Sequence, residues 1–70
     1  MFRKDQPVII HSLGPQYQDE EYKATVVGVA VKDILGPHIY IVRLDEYIPG
    51  LSFDYDYVTL TGACIKAQNE

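Results

Sequence analysis

Hydrophobic and polar residues alternate with a period of two in several short stretches of this chain, a period typical of half-buried β-strands. Residues 38–45 show it clearly, because Tyr40, Val42 and Leu44 fall on one face. Arg43 marks the other face as the outer one, so we place Val42 and Leu44 in the core. No helical period is sustained over a window of about eleven residues. The pattern therefore predicts an all-β fold.

The longest predicted strand spans residues 22–32, and its middle is apolar on both faces rather than on one. Gly28 lies in that middle, and a glycine inside a strand often marks a bulge or a bend. A bend at Gly28 would let one long strand contribute to both layers of a small barrel. The alternative is that a second subunit covers one of the two faces.

The segment that starts at Leu51 alternates aromatic and acidic residues. Strict alternation puts Asp54 and Asp56 on the same face as Val58, yet burying an unpaired carboxylate is very costly. Either the regular strand begins only near Tyr57 and the preceding residues form a loop, or the aromatic residues face inward. We favour the first alternative, which leaves both carboxylates in water.

Two further short strands complete the pattern, at residues 7–13 and 63–66. The glycine and proline that follow the first of them indicate a loop, and three consecutive acidic residues make that loop exposed. We expect little or no helix apart from a short turn near residues 60–63. The tail from Ala67 onward is expected to fray.

The order and lengths of these segments resemble the SH3-like small β-barrel. The residues that carry the resemblance are VIIHSL, YKATVVGVAV, HIYIVRLDE, YDYVTL and ACI. What they share with that family is spacing: a long charged first loop, a long bent second strand, and a tight turn before a very short fifth strand. The resemblance implies one five-stranded SH3-like barrel domain over residues 1–70. Tudor and KOW-type modules, ribosomal proteins and small subunits of larger assemblies have this fold, which hosts many unrelated functions.

Size and charge limit the partners that such a domain is suited to bind. The chain has 70 residues and one cysteine, so it buries only about 60% of its extended surface and has no internal disulfide. Its net charge is −4, and the whole imbalance lies in residues 44–65, where acidic residues occur without any Lys or Arg. Such a sector disfavours binding to phosphate backbones. It suits a basic protein partner, or it simply keeps a small domain soluble.

Nothing in the sequence predicts a contact with a membrane. There is no run of about eighteen apolar residues, which a membrane-spanning helix requires. The basic N-terminal residues are not followed by an apolar stretch of signal-peptide length. A single thiol fits a reducing compartment, and we therefore expect a cytoplasmic location.

The candidate interaction surface combines aromatic and acidic residues of two loops. Rings supply contact area and carboxylates steer a basic partner. We predict a non-catalytic protein-interaction module or small accessory subunit; the alternative is a nucleic-acid-binding barrel that takes RNA more than DNA. The candidate residues are Tyr17, Asp19, Glu20, Glu21, Asp45, Glu46, Tyr47, Phe53, Asp54 and Tyr55.

An aromatic cage is a second hypothesis for the same region. Rings near carboxylates attract a methylated ammonium group through cation–π and charge interactions. The alternative is that one or two of the rings fill the core, because a small barrel needs large side chains to bury. The rings concerned are Tyr40, Tyr47, Phe53, Tyr55 and Tyr57.

Metal, cofactor and catalytic sites are not predicted. Asp54 and Asp56 have the spacing that begins a calcium loop, but the glycine and glutamate that complete it are missing. Cys64 with His11 or His38 could form a nucleophile and base. However, Cys64 lies in a predicted apolar strand, where a buried and inert thiol is expected. We also expect the chain to be too small for a ligand pocket of roughly 300–1,000 Å³.

Self-association is a further hypothesis. Residues 25–31 and 39–42 are apolar on both faces, and Ile34 and Leu35 add apolar loop residues. Exposed apolar patches mark interfaces, and edge strands invite strand addition. The alternative is that the bend at Gly28 makes both faces internal.

Overall fold

The computed structural model describes residues 2–14, 20–31 and 38–68, which form a five-stranded antiparallel sheet. Its order is β4-β3-β2-β1-β5, so the last strand returns to pair with the first. The all-β prediction is confirmed. No helix among the described residues has the length and apolar character needed to cross a membrane. The strands are β1 (Pro7–Ile10), β2 (Tyr22–Val31), β3 (Ile39–Leu44), β4 (Tyr57–Thr61) and β5 (Ile65–Ala67), and a 3₁₀ turn (Gly62–Cys64) precedes β5.

The long strand β2 is irregular around Gly28, as predicted. Its register against β3 shifts between Val26 and Gly28 and again between Val29 and Val31. The first part of β2 pairs with both β1 and β3. Beyond Gly28, the side chains of Val29 and Val31 are exposed. The two faces of β2 are therefore not both buried as far as the end of the strand. Ile34 and Leu35 lie outside the described residues.

One face of the sheet carries the core. Tyr40 and Val42 are buried and Leu44 packs against them at the margin, which confirms the predicted inner face of β3. Ile48, from the loop after β3, is fully buried and closes the core over this face. The buried hydrophobic residues are Val8, Ile10, Ala24, Val26, Tyr40, Val42, Ile48 and Ile65.

The segment between β3 and β4 is a compact loop, and β4 begins at Tyr57. This confirms the division of the alternating segment into a loop and a strand. Val58 packs partly against the core, whereas Tyr57 is exposed. The loop is held by its own hydrogen bonds, since the Ile48 N–H donates to Ser52 Oγ at 2.7 Å. The Ser52 N–H in turn donates to the Ile48 carbonyl at 2.9 Å.

The C-terminal boundaries differ from the sequence prediction. Cys64 belongs to the 3₁₀ turn and is half-buried, so its placement in a buried strand is wrong. The strand β5 follows that turn, and Ala67 pairs with Val8 instead of fraying. Gln68 Nε2 adds a hydrogen bond to the Val8 carbonyl at 3.2 Å. Alternation alone misses this shift, because local backbone bonds such as Ile65 N–H to Gly62 C=O create the turn.

The first strand also differs in length, since β1 ends at Ile10 rather than at residue 13. His11 follows as an exposed residue, although its N–H still donates to the Cys64 carbonyl at 3.0 Å. Leu13 packs partly against the core without belonging to a strand. The apolar character of residues 7–13 therefore reflects core contact over a longer stretch than the strand itself.

Candidate functional site

Two candidate acidic residues after β3 are bonded within the fold. Glu46 Oε2 accepts a hydrogen bond from the Lys23 N–H at 2.5 Å. Asp45 Oδ2 accepts one from Thr25 Oγ1 at 2.6 Å, and Asp45 Oδ1 pairs with Arg43 Nε at 3.1 Å. These contacts fasten the chain that leaves β3 to the neighbouring strand β2. A partner would have to compete with them for either carboxylate.

The described acidic residues of the first loop also have partners. Glu20 Oε2 accepts a hydrogen bond from the Tyr22 hydroxyl at 2.8 Å. Glu21 Oε2 lies 2.8 Å from Lys66 Nζ, and this pair ties the end of the first loop to β5. Hydrogen bonding to Lys66, and secondly its positive charge, lower the pKa of Glu21 from its ordinary value of 4.5. The other two candidates of this loop, Tyr17 and Asp19, lie outside the described residues.

Asp54 and Asp56 differ from these four acidic residues. Both are exposed, and neither carboxylate has a hydrogen-bond or ion-pair partner in the described parts of the chain. Within the described residues these carboxylates therefore form no ion pair, and they remain available to a cation that approaches from solvent. No Lys or Arg occurs between residues 44 and 65 to neutralise them.

Exposed rings flank these two aspartates in the sequence. The exposed fractions are 84% for Phe53, 58% for Tyr55 and 55% for Tyr57, and 66% for Tyr47 earlier in the loop. Exposure of this extent is unusual for large rings, whose burial is a major source of stability in a small domain. We call Phe53, Asp54, Tyr55, Asp56 and Tyr57 the 53–57 surface.

An apolar groove adjoins the 53–57 surface beside β3 and β4. Its volume is about 440 Å³. Ile41 and Thr59 are directly opposed across the two strands and contribute to its floor. The expectation that the chain is too small for a pocket in the usual range is therefore wrong. The groove is lined by Ile41, Leu51, Tyr55, Tyr57, Val58 and Thr59.

Tyr40 is not available to an aromatic cage, because it is buried in the core. The Tyr40 ring meets the Phe2 ring edge-on, with 5.4 Å between centroids, and its hydroxyl accepts the Phe2 N–H at 3.3 Å. For this ring the core interpretation is confirmed. The described ring contacts, Phe2–Tyr40 and His38–Tyr40, do not involve the four exposed rings.

The candidate nucleophile Cys64 is hydrogen-bonded to one of its candidate bases, His11, and the atoms that take part belong to the backbone. The His11 N–H bonds to the Cys64 carbonyl, and the Gly62 N–H bonds to the His38 carbonyl at 3.2 Å. The described side-chain contact of Cys64 Sγ is with Thr61 Oγ1 at 3.5 Å. His38 Nδ1 is buried without a hydrogen-bond partner in the described segments. Within those segments, no group of three His, Cys, Asp or Glu side chains converges.

The sequence analysis missed the groove and two of its residues, Leu51 and Thr59. A groove of this kind depends on how the loop after β3 folds beside β3 and β4, which alternation does not reveal. The sequence of β4, YVTLT, contains no Lys, Pro or Gly, but only the sheet order identifies β4 as an edge strand. Comparisons with protein-family models, with curated proteins and with solved structures give no significant match.

Proposed function

We propose that this chain is a non-catalytic interaction module that binds a basic segment of a protein partner through the 53–57 surface. The observation that supports this proposal is the combination of exposed rings with two carboxylates that have no partner in the described fold. Rings of this kind supply most of the contact energy in protein interfaces. Carboxylates at the rim steer an oppositely charged partner and raise the association rate.

The acidic residues bonded within the fold have a different role in this proposal. Glu20, Glu21, Asp45 and Glu46 stabilise the chain connections around β2 and β5. They add to the negative field, but direct contact with the partner falls mainly to Asp54 and to Asp56. The proposed contact region is therefore narrower than the ten residues that the sequence analysis selects.

A protein partner fits this surface better than a nucleic acid. Binding to a phosphate backbone requires clustered Lys and Arg side chains. Arg43, the basic residue that precedes the acidic sector, is paired with Asp45, and Lys66, which follows it, is paired with Glu21. The rings could stack on bases, but the charges beside them would repel the phosphates.

We also propose that the fold is an SH3-like small barrel. The strand order β4-β3-β2-β1-β5, the irregular long strand β2 and the 3₁₀ turn before a three-residue β5 support this assignment. In such a barrel the loop between the third and fourth strands would lie at one end. The 53–57 surface would then be presented to a partner by a rigid scaffold.

Affinity capture from the native lysate tests the proposed function. The wild type is compared with Tyr55→Ala, which removes an exposed ring, and with Tyr47→Phe, a matched control that keeps its ring. We expect the wild type and Tyr47→Phe to capture a basic protein that Tyr55→Ala does not capture. Raised salt concentration should release that protein. Salt-sensitive binding of random RNA or DNA oligonucleotides, with no protein captured, would favour the nucleic-acid alternative and contradict the proposal.

A further inference from the structure

Among the described residues, the backbone of β4 has one side without a partner strand, since β4 lies at the edge of the sheet. Two hydrogen bonds fix which of its residues pair with β3: Leu44 N–H to Asp56 C=O at 2.9 Å, and Gly62 N–H to His38 C=O at 3.2 Å. In an antiparallel ladder, hydrogen-bonded pairs alternate with pairs that are not hydrogen-bonded to each other.

The register follows from these two bonds. Val42 opposes Val58 and Tyr40 opposes Leu60, and both are hydrogen-bonded pairs. The pairs Arg43–Tyr57 and Ile41–Thr59 lie between them and are not hydrogen-bonded pairs. The backbone N–H and C=O groups of these two residues therefore point away from β3, toward the open edge.

This edge lacks the usual protection against strand pairing. Natural edge strands are commonly very short or carry Lys, Pro or a bulge. The strand β5, at the opposite edge, has three residues and carries Lys66. The strand β4 has five residues with no Lys, Pro or Gly, and its register with β3 is regular. It is therefore the edge better suited to accept another strand.

The groove extends this edge with apolar surface. Tyr57 and Thr59 contribute both outward backbone groups and groove-lining side chains. A strand placed beside them would direct alternate side chains to the face of the sheet that carries the groove. Main-chain hydrogen bonds then give affinity, and the groove gives preference for certain side chains, as in peptide recognition by strand addition.

The charge beside this edge indicates which kind of segment binds there. Asp54 and Asp56 lie immediately before β4 and lack partners within the described residues. A second copy of the chain would bring its own acidic sector, which has no Lys or Arg from residue 44 to residue 65. Like charges placed together across an interface oppose binding. A basic segment meets the same carboxylates with opposite charge.

We propose that β4 binds an extended basic peptide segment of a partner protein as an added strand. Apolar or β-branched side chains of the segment lie over the groove, and its Lys or Arg residues meet Asp54 and Asp56. This inference rests on the proposed function and specifies its binding mode. It assigns a role to the outward N–H and C=O groups of Tyr57 and Thr59, which the proposed function alone does not use.

A pair of synthetic peptides separates the binding mode from the function. The first is an acetylated peptide of about eight residues, within the usual range of strand lengths, in which lysine alternates with valine. The second has the same sequence with alternate backbone amides methylated, so that it cannot complete the ladder. We expect methylation to weaken binding roughly tenfold or more, because several main-chain hydrogen bonds are lost.

The affinities of the two peptides distinguish failure of the binding mode from failure of the proposed function. Equal affinity for the two peptides would overturn strand addition and leave the proposed function in place. Absence of binding by both at millimolar concentration would overturn the two together. If the amides of Tyr57 and Thr59 shift when protein concentration is raised without peptide, a second copy occupies the edge, and the proposed occupant is wrong.

The variant Thr59→Pro tests the edge from the side of the protein. Proline removes an N–H that makes no bond to β3, and edge strands tolerate such prolines. We expect Thr59→Pro to lose binding of the unmethylated peptide that the wild type binds; equal binding by the two proteins would overturn the proposal. If Thr59→Pro does not fold, hydrogen exchange at the Tyr57 and Thr59 amides of the wild type decides. Strand addition slows both on peptide binding, and unchanged rates would contradict it.

Discussion

The Leu44 N–H donates a hydrogen bond to the Asp56 carbonyl oxygen at 2.9 Å. Pairing with β3 therefore begins one residue before β4 itself. The backbone of Asp56 is held in the ladder while its carboxylate remains exposed and without an ion-pair partner in the described chain. This arrangement places a fixed negative charge at the start of an open sheet edge.

The loop between β3 and β4 contains one residue that stabilises the fold and another that is available for binding. Ile48 is fully buried and Phe53 is 84% exposed. We expect Ile48→Ala to lower the free energy of unfolding by about 2–5 kcal/mol, and Phe53→Ala to change it by less than about 0.5 kcal/mol. Urea denaturation measures both. A large loss with Phe53→Ala would mean that this ring supports the fold, which would contradict its assignment to the interaction surface.

The hydroxyl of Tyr40 links the N-terminal segment to the core. It accepts the Phe2 N–H at 3.3 Å while its ring is buried. We expect Tyr40→Phe to lower the free energy of unfolding by about 0.5–1.5 kcal/mol, because one partly buried hydrogen bond is lost and the ring remains. Tyr47→Phe is the matched control, since its ring is exposed, and thermal denaturation should show no change. Equal effects of the two variants would rule out this role for the Tyr40 hydroxyl.

Replacement by alanine at two glycines should change the free energy of unfolding in opposite directions. An added Cβ at Gly28 would meet nothing within 4 Å, so Gly28→Ala should raise the free energy of unfolding by up to about 1 kcal/mol. Gly50 has a φ of 81°, which alanine adopts at a cost of about 1–2 kcal/mol. Denaturation of both variants tests this contrast. Destabilisation by Gly28→Ala would show that the irregularity of β2 requires glycine.

The ion pair between Glu21 and Lys66 should make the stability of the fold depend on pH in the acidic range. Because Lys66 lowers the pKa of Glu21 below 4.5, the pair stabilises the fold above that pH. This contribution disappears as the pH falls through the lowered folded-state pKa. An NMR titration should show the Glu21 midpoint rising toward its ordinary value in Lys66→Gln. Lys4→Gln serves as the control, and an unchanged midpoint in Lys66→Gln would contradict the assigned cause.

Sequence alternation predicts those parts of the fold that depend on which side chains can be buried. The inner face of β3, the start of β4 at Tyr57 and the irregularity at Gly28 all follow from that requirement. The boundary between the 3₁₀ turn and β5 does not, because short-range backbone and side-chain bonds around Thr61 and Cys64 decide it. Apolar sequence alone cannot distinguish a strand residue from a turn residue that packs beside the core.

The candidate surface is predictable in composition but not in detail. Rings and carboxylates near residues 53–57 are visible in the sequence, and the structure describes them as exposed. The partners of Asp45 and Glu46 on β2 are not visible, because they depend on strand register. The groove depends on how Leu51 and Tyr55 are placed beside β3 and β4. Long-range geometry of this kind has no signature in local alternation.

The central claim, that the 53–57 surface takes a basic partner, is tested most directly by comparing two double variants that remove equal charge. Asp54→Asn/Asp56→Asn alters the surface, and Asp5→Asn/Glu20→Asn alters exposed acidic residues elsewhere. Calorimetry with the lysine–valine peptide should show binding weakened about three- to tenfold by the first variant, since an exposed charge pair contributes up to about 1 kcal/mol. The second variant should change it much less. Equal weakening by both would show that net charge alone governs binding, and would contradict the claim.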